Sequence, residues 1–309
     1  MKDLFSLIWK CRAIIRKCIA LSMIKFGFLD NIVLIKIDGG ICSQMHQYLL
    51  GYYFQQKGYK VKFDLIWYKK WGKDMNGINV MNFDLLKLFP DLSFLEASSY
   101  ERKWYQYFGV VGDGFDENPK FLWQKMTPPI YMNRYYGTNK EIDALIPKIF
   151  RYDENILDVG NQIVLSRIKS KSCSVAIHVR RGDLSSFLPA YGEPVSFGYF
   201  KRAINYLESQ HQDCYFFIFS DEPHWCESVL IGEINLNGNY EIVNVNGTDK
   251  GYFDLILISF CNHVITSKGS LGKYGALLSR HQDCLVVLYD DNVERRMWNG
   301  KIPNMVFLQ

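Results

Sequence analysis

Residues Val175 to Asp183 read VAIHVRRGD. The run Val175–Val179 is apolar and β-branched, interrupted only by His178, which is the pattern of a short buried strand. Period-two alternation puts His178 and Arg180 on the same side of that strand. Arg181 and Asp183 then fall in a loop, where Gly182 permits a tight turn. Two guanidiniums at the end of a buried strand are costly without an anion nearby. Arginine suits phosphate because its planar fork makes bidentate, charge-assisted hydrogen bonds. Two readings follow, a structural Arg–Asp pair or an anion site, and the rest of the chain decides between them.

The strand belongs to a series. Val175–Val179, Cys214–Phe219, Glu241–Val245, His263–Thr266 and Cys284–Tyr289 alternate with helical stretches Phe197–Glu208, Gly251–Phe260 and Leu271–Ser279. Such alternation predicts a parallel, doubly wound α/β sheet with right-handed crossovers. Upstream, a strand over Ile32–Ile37 ends at Asp38-Gly39-Gly40. A helix over Ser43–Lys57 and a strand over Lys60–Asp64 follow, a second β–loop–α–β unit. Its glycines serve either simple turn chemistry or close approach of backbone to a ligand. They are not a dinucleotide fingerprint, because GxGxxG is absent. The expected organisation is an N-terminal segment over 1–30, one domain over 31–150 and a second over 151–309.

Bulk properties narrow the function. With 309 residues the chain can bury two cores. A net charge of +4 is too small to imply a nucleic-acid partner. None of the eight cysteines is in a CxxC pair, so they read as reduced, buried thiols of a cytosolic protein, with no zinc site. Residues 67–140 are rich in Trp and Tyr without a clear period. Those rings either pack in a core or face a sugar. Residues 1–29 interleave apolar side chains with Lys2, Lys10, Arg12, Arg16, Lys17 and Lys25. The longest uncharged run there, Cys18–Ile24, is too short to span a bilayer. The segment reads either as an amphipathic helix on an anionic membrane surface or as a helix packed on its own domain. A cytoplasmic enzyme, peripheral to the inner membrane, is the expectation.

The polar clusters of the second half share one address. Arg180/Arg181/Asp183, Ser220/Asp221, Asn246/Thr248/Asp249 and Ser267/Gly269/Ser270 all sit at carboxyl ends of expected strands. In open α/β sheets that edge binds ligands. The last cluster opens a helix, whose free amides favour phosphate. Together with the arginines this points to a diphosphate, with Asp221 accepting from a ribose or base. No Asp-x-Asp occurs, and Asp290-Asp291 is a weak substitute, so no metal is expected. The arginines then stabilise the leaving diphosphate.

Four ordered segments carry a family resemblance. His178-Val179-Arg180-Arg181-Gly182-Asp183 resembles the HxRRxD motif of the α-1,2-fucosyltransferases, glycosyltransferase family 11. Gly39-Gly40-Ile41-Cys42-Ser43-Gln44-Met45-His46-Gln47-Tyr48 is similar to the family's GGLGNQMFQY. Phe216 to Glu222 with Trp225-Cys226 resembles FFIFSDD…WC, and Asp254-Leu255 through Cys261-Asn262-His263 resembles DL…LMS.C.H. The resemblance implies a GT-B fold of two Rossmann-like domains with parallel sheets, the first acceptor-side and the second binding the nucleotide sugar. It implies inverting, metal-independent transfer of L-fucose from GDP-fucose to a galactoside hydroxyl in an α-1,2 linkage, serving bacterial surface glycan synthesis without a cofactor.

By the match, Arg180 and Arg181 hold the diphosphate, and His178 and Asp221 lie near the nucleoside. Ser220, Gly269 and Ser270 complete the donor site, while Asp38, Gly39, Gly40, Ser43 and Gln44 form a loop facing donor or acceptor. The acceptor hydroxyl needs a base. Asp183 is the first choice, or else it clamps the arginines, with Glu193 and Asp38 as reserves. Two departures stand out. The family's Gly-Asn is Cys42-Ser43 here, which alters the first loop and its hydrogen bonding. The segment Lys268-Gly269-Ser270-Leu271-Gly272-Lys273-Tyr274-Gly275-Ala276 is nearer the GTFGxW variant of animal relatives than the bacterial NSSFSWWGA. Three readings stay open: a fucosyltransferase, the same scaffold using another nucleotide sugar or linkage, or a catalytically impaired sugar-nucleotide-binding protein.

Overall fold

The computed structural model describes residues 2–74, 77, 79–108, 123–186, 193–236, 238–247 and 249–309. The chain divides into two compact units, Met1–Gly72 with Asp91–Thr138, and Lys73–Pro90 with Asn139–Gln309. Lys73–Pro90, expected in the first domain, thus belongs to the second unit, and the last crossing falls at 138/139, where the sequence reading placed the border at 150/151. The short helices Lys140–Asp143 and Ile146–Ile149 belong with the second unit. Lys301 pairs with Asp143 at 3.3 Å, and the Phe150 ring lies 5.1 Å from that of Phe89.

In the first unit β1 (Val33–Lys36) lies between β2 (Val61–Asp64) and β3 (Ile130–Met132), all parallel, with Val33 opposite both Val61 and Ile130. β3 comes from the aromatic stretch that has no legible period. The helix Ile41–Gln56 buries Met45, Tyr48, Leu49 and Phe54 against this sheet's side of the core. It approaches so closely that a Cβ on Gly51 would meet the Phe63 ring at 2.7 Å. Tyr131 donates to the buried Asp64 at 2.7 Å, satisfying one oxygen of that carboxylate.

The N-terminal helix Lys2–Lys25 packs Met23 and Ile24 into a cluster with Tyr105, Trp104 and Phe108. The Arg16 guanidinium sits 5.1 Å from the centre of the Tyr107 ring. The packed reading of this segment therefore holds on one face. Ile14, Ile15, Phe26 and Phe28 remain exposed. No helix among the described residues is long and apolar enough to cross a membrane.

The second unit carries a six-stranded, all-parallel sheet made of β4 (Cys173–Val179), β5 (Cys214–Ser220), β6 (Tyr240–Val243), β7 (His263–Thr266), β8 (Val286–Tyr289) and β9 (Met305–Leu308). Their spatial order is β6-β5-β4-β7-β8-β9. Counted within the unit this is 3-2-1-4-5-6, the doubly wound order of dinucleotide-binding sheets. The fold is therefore of the GT-B type expected, two α/β units each built on a parallel sheet. β9 is a half-buried edge strand beyond the five expected. The chain runs outward from β4 on one side, then returns to lay β7 on the other. That reversal opens a crevice at the carboxyl ends of β4 and β7. All of β4 is buried, as its largely apolar run predicts, and the polar Ser174 and His178 are buried with it.

All eight cysteines are free thiols, but Cys11 and Cys18 are exposed, which corrects the expectation that they are buried. Both sit on the N-terminal helix, outside either sheet core.

Candidate functional site

The ends of β4 and β7 are stitched together residue by residue. His178 pairs in register with Thr266. Ser267 N donates to His178 O at 3.0 Å, and Arg180 N donates to Ser267 Oγ at 2.9 Å. The helix Leu271–Leu277 then seats directly on the two strand ends. A Cβ on Gly272 would lie 2.7 Å from Thr266 Oγ1 and 2.9 Å from His178 Cβ. Tyr199, beneath the sheet, donates to Thr266 O at 2.8 Å. His178 and Arg180 thus face the same segment, as period-two alternation predicts.

Gly269 is the pivot. Its φ is +91°, and a Cβ there would meet Arg180 Cδ at 2.7 Å and Nη1 at 2.9 Å. The Arg180 side chain therefore lies across a residue that has to be glycine, both for its backbone and for its missing side chain. Ser270 precedes the helix and makes no side-chain cap bond.

The two arginines part company. Arg181 Nε pairs with Glu222 at 2.9 Å, and its guanidinium stacks 4.1 Å from the centre of the Trp225 ring. Arg181 thus forms an ion pair with Glu222, a residue outside the Arg–Asp pair that the motif suggested. Asp221 accepts from Arg181 N and Gly182 N, both at 3.0 Å. It caps a short helix over Gly182–Ser186, where a loop was expected. The correction has a simple cause: a carboxylate at the end of the neighbouring strand β5 satisfies the first free amides. Ser220 Oγ accepts from Glu222 N at 3.0 Å, holding the same turn. The backbone of Asp183 lies in this helix, but its side chain is outside what is described, as is Thr248. Glu193 is exposed.

Asn246, the third cluster, belongs to a polar tie. It donates to Asp254 at 2.7 Å and to Asn161 at 2.8 Å. Burial pushes the Asp254 carboxyl up to about 7. Asp290 pairs with Arg295, and Asp291 caps the helix Asn292–Trp298 through Glu294 N.

In the first unit the Asp38-Gly39-Gly40 turn is held from all sides. Asp38 pairs with Lys36 at 2.6 Å and accepts from Gln47 and Tyr135 at 2.7 Å. Gly39, with φ +72°, offers its carbonyl to Gln44 Nε2 at 3.0 Å and Tyr68 OH at 2.9 Å. With that many partners Asp38 reads as a clamp on the turn. The helix begins at Ile41, ahead of the expected Ser43. The Cys42-Ser43 departure therefore falls in the first helical turn, and the preceding turn keeps both glycines. Sequence reasoning missed Tyr68 and Tyr135, which have no spacing that ties them to the turn, and gave Gln47, inside the Gly39–Tyr48 motif, no role.

The family 11 glycosyl transferase profile matches residues 125–303, more than half of the chain. The chain belongs to glycosyl transferase family 11. An α-1,2-colitosyltransferase of Escherichia coli is 24% identical over 299 residues, covering 88% of this chain and 96% of that one. A galactoside 2-α-L-fucosyltransferase of Bos taurus is 29% identical over 113 residues, 35% of this chain and 29% of the relative. The structure of NodZ α-1,6-fucosyltransferase co-crystallized with GDP overlaps loosely, at 13% identity and a TM-score of 0.45, over 84% of this chain and 95% of that chain. As a family 11 member the protein is a glycosyltransferase. The profile covers the β4–β8 strand ends, whereas the Asp38-Gly39-Gly40 turn lies outside it.

Burial, then the neighbouring charges of Lys273 and Arg180, depress His178 to about 3, so the imidazole is neutral across the physiological range. The unfolded chain's imidazole titrates near 6.5. Between those values the unfolded state binds more protons, so stability falls as pH is lowered through that window. A His178→Gln variant lacks this contribution. Its unfolding free energy from urea titrations is expected to fall less than the wild type's between about pH 7 and about pH 5, a difference of up to ~2 kcal/mol.

Proposed function

We propose that this family 11 enzyme transfers a 6-deoxy sugar of the L-fucose type from its GDP ester to a galactoside hydroxyl in an α-1,2 linkage, with inversion and without a metal. The observation that carries the reading is Arg180 lying over Gly269 at the crevice between β4 and β7. A guanidinium fixed there meets a diphosphate at the place where doubly wound sheets bind nucleotides. As the sugar–phosphate bond breaks, charge builds on the leaving diphosphate, and a preorganised cation stabilises that charge most. Arg181, anchored by Glu222 and Trp225, holds the wall beside it. Neutral His178 fills the floor beneath Arg180 without adding charge.

Asp183 remains the assigned base for the acceptor hydroxyl. It stands in the helix after β4, two residues beyond Arg181. The first unit is assigned acceptor recognition through the Asp38–Gln44 region. A second donor reading has its own support. The colitosyltransferase aligns along 88% of this chain, whereas the bovine fucosyltransferase aligns along 35%. Colitose is fucose lacking its 3-hydroxyl, so the two donors differ at one ring position, and whether the site hydrogen-bonds that hydroxyl decides between them.

We also place the N-terminal helix at an anionic membrane surface, in keeping with a glycan made for the cell surface. Ile14, Ile15, Phe26 and Phe28 are exposed together with the basic Arg12, Lys17 and Lys25. Apolar side chains beside cations are what such a surface takes up.

Two measurements test these readings. Incubated with GDP-fucose or GDP-colitose and a galactoside panel, the wild type is expected to yield an α-1,2-linked product with at least one donor. Arg180→Ala should keep its unfolding midpoint and lose roughly 10²–10³ in turnover. Product formed equally with UDP-sugars, or by the Arg180→Ala variant at full rate, contradicts the assignment. Separately, the protein should sediment with phosphatidylglycerol vesicles and not with phosphatidylcholine vesicles. A Phe26→Asp/Phe28→Asp variant should stay in the supernatant, and retention of the double variant on the vesicles would rule the contact out.

A further inference from the structure

One buried charge has no part in the mechanism above. Lys273, in the first turn of the helix Leu271–Leu277, has a side chain that is 0% exposed. Its ammonium donates to Ser267 O at 2.8 Å and Gly269 O at 2.6 Å, and pairs with Glu294 Oε2 at 2.7 Å. Two of its donors are met by carbonyls, and the Glu294 carboxylate neutralises its charge. Taking an ammonium out of water is expensive, and an apolar side chain of the same length would often serve stability as well or better. The partners suggest what the charge is for. Both carbonyls belong to the turn that carries Arg180: Ser267 Oγ receives the Arg180 amide, and Gly269 lies under the Arg180 side chain.

We propose that Lys273 is a positioning residue for the donor diphosphate, fixing the Ser267–Gly269 turn so that Arg180 and the turn's own amides meet the phosphates. The proposal rests on the donor reading above. In a trans peptide the carbonyl and the following amide point in opposite directions. Drawing the carbonyls of Ser267 and Gly269 inward to Lys273 therefore turns the amides of Lys268 and Ser270 the other way. Successive amides aimed to one side of a tight turn form an anion-binding concavity. Glu294 holds the ammonium from the opposite side, and is itself placed by the cap that Asp291 makes on its helix. The buried cation also adds to the field of Arg180. Burial holds the Lys273 pKa below its usual value, with repulsion from Arg180 a smaller contribution in the same direction and Glu294 opposing both. A bound diphosphate relieves that repulsion.

The test compares GDP with GMP by calorimetry on the full chain, because only the second phosphate reports on the turn. Lys273→Met is expected to lower the GDP-to-GMP affinity ratio roughly 10-fold while GMP affinity moves little. Lys273→Arg, which keeps the charge, should hold the ratio within about 3-fold of wild type. A purely structural lysine would weaken both nucleotides in parallel and leave the ratio unchanged, which overturns the proposal. If the Met variant does not fold, Lys273→Gln carries the test: one amide donor should give a partial fall, and an unchanged ratio again overturns the idea. Wild type that binds no GDP sinks the donor reading and this proposal with it. Wild type and Lys273→Met that discriminate GDP from GMP alike sink this proposal alone.

Discussion

Arg180 lies where it does because residue 269 has no side chain. A Cβ at that position would sit 2.7 Å from Arg180 Cδ, and the backbone φ of +91° excludes most other residues on its own account. Everything around the crevice serves that contact. The register of β4 with β7 brings His178 opposite Thr266, and Ser267 fastens the strand end beyond them. Gly272 lets the following helix settle onto both strands. The guanidinium is thereby fixed at the one edge of the sheet where the topology reverses, so little reorganisation is left to occur when charge develops.

The neighbouring arginine shows how one motif divides its labour. Two adjacent guanidiniums repel each other, and a nearby carboxylate offsets that repulsion. Arg181 has its anion inside the protein, in Glu222, with Trp225 beneath it. Arg180 shares its surroundings with buried Lys273, whose own carboxylate is Glu294. The aspartate that follows β5 goes to the backbone, capping the helix that begins at Gly182. The first unit repeats the economy with other means, tying Asp38 and Gly39 with Lys36, Gln44, Gln47, Tyr68 and Tyr135.

Much of this was legible in the sequence, and for definite reasons. Strands buried on both faces write largely apolar runs, so β5 and β7 could be read to within a residue and β4 to within two. Their ends are marked by polar clusters, so the site's edge of the sheet could be read as well. What escaped was whatever depends on which strands become neighbours. The sequence alone does not say that β5 lies beside β4, and without that Asp221 cannot be known to cap the helix after Gly182. Lys273 and Glu294 stand on separate helices with a strand between them, and no spacing rule joins them. β3 was missed because it is short and lies in a stretch without a period, whereas β9, as long as β7, follows the last strand of the expected series. The rings of Tyr68 and Tyr135 spend their hydroxyls on one turn, a use that composition does not distinguish from packing.

A crystal structure of the protein with GDP tests the central claim most directly. The account predicts the β-phosphate at the carboxyl ends of β4 and β7, with its oxygens about 2.7–3.2 Å from the Arg180 guanidinium above Gly269. A diphosphate bound at any other edge of the sheet, or at this one with Arg180 making no contact to it, would contradict the account.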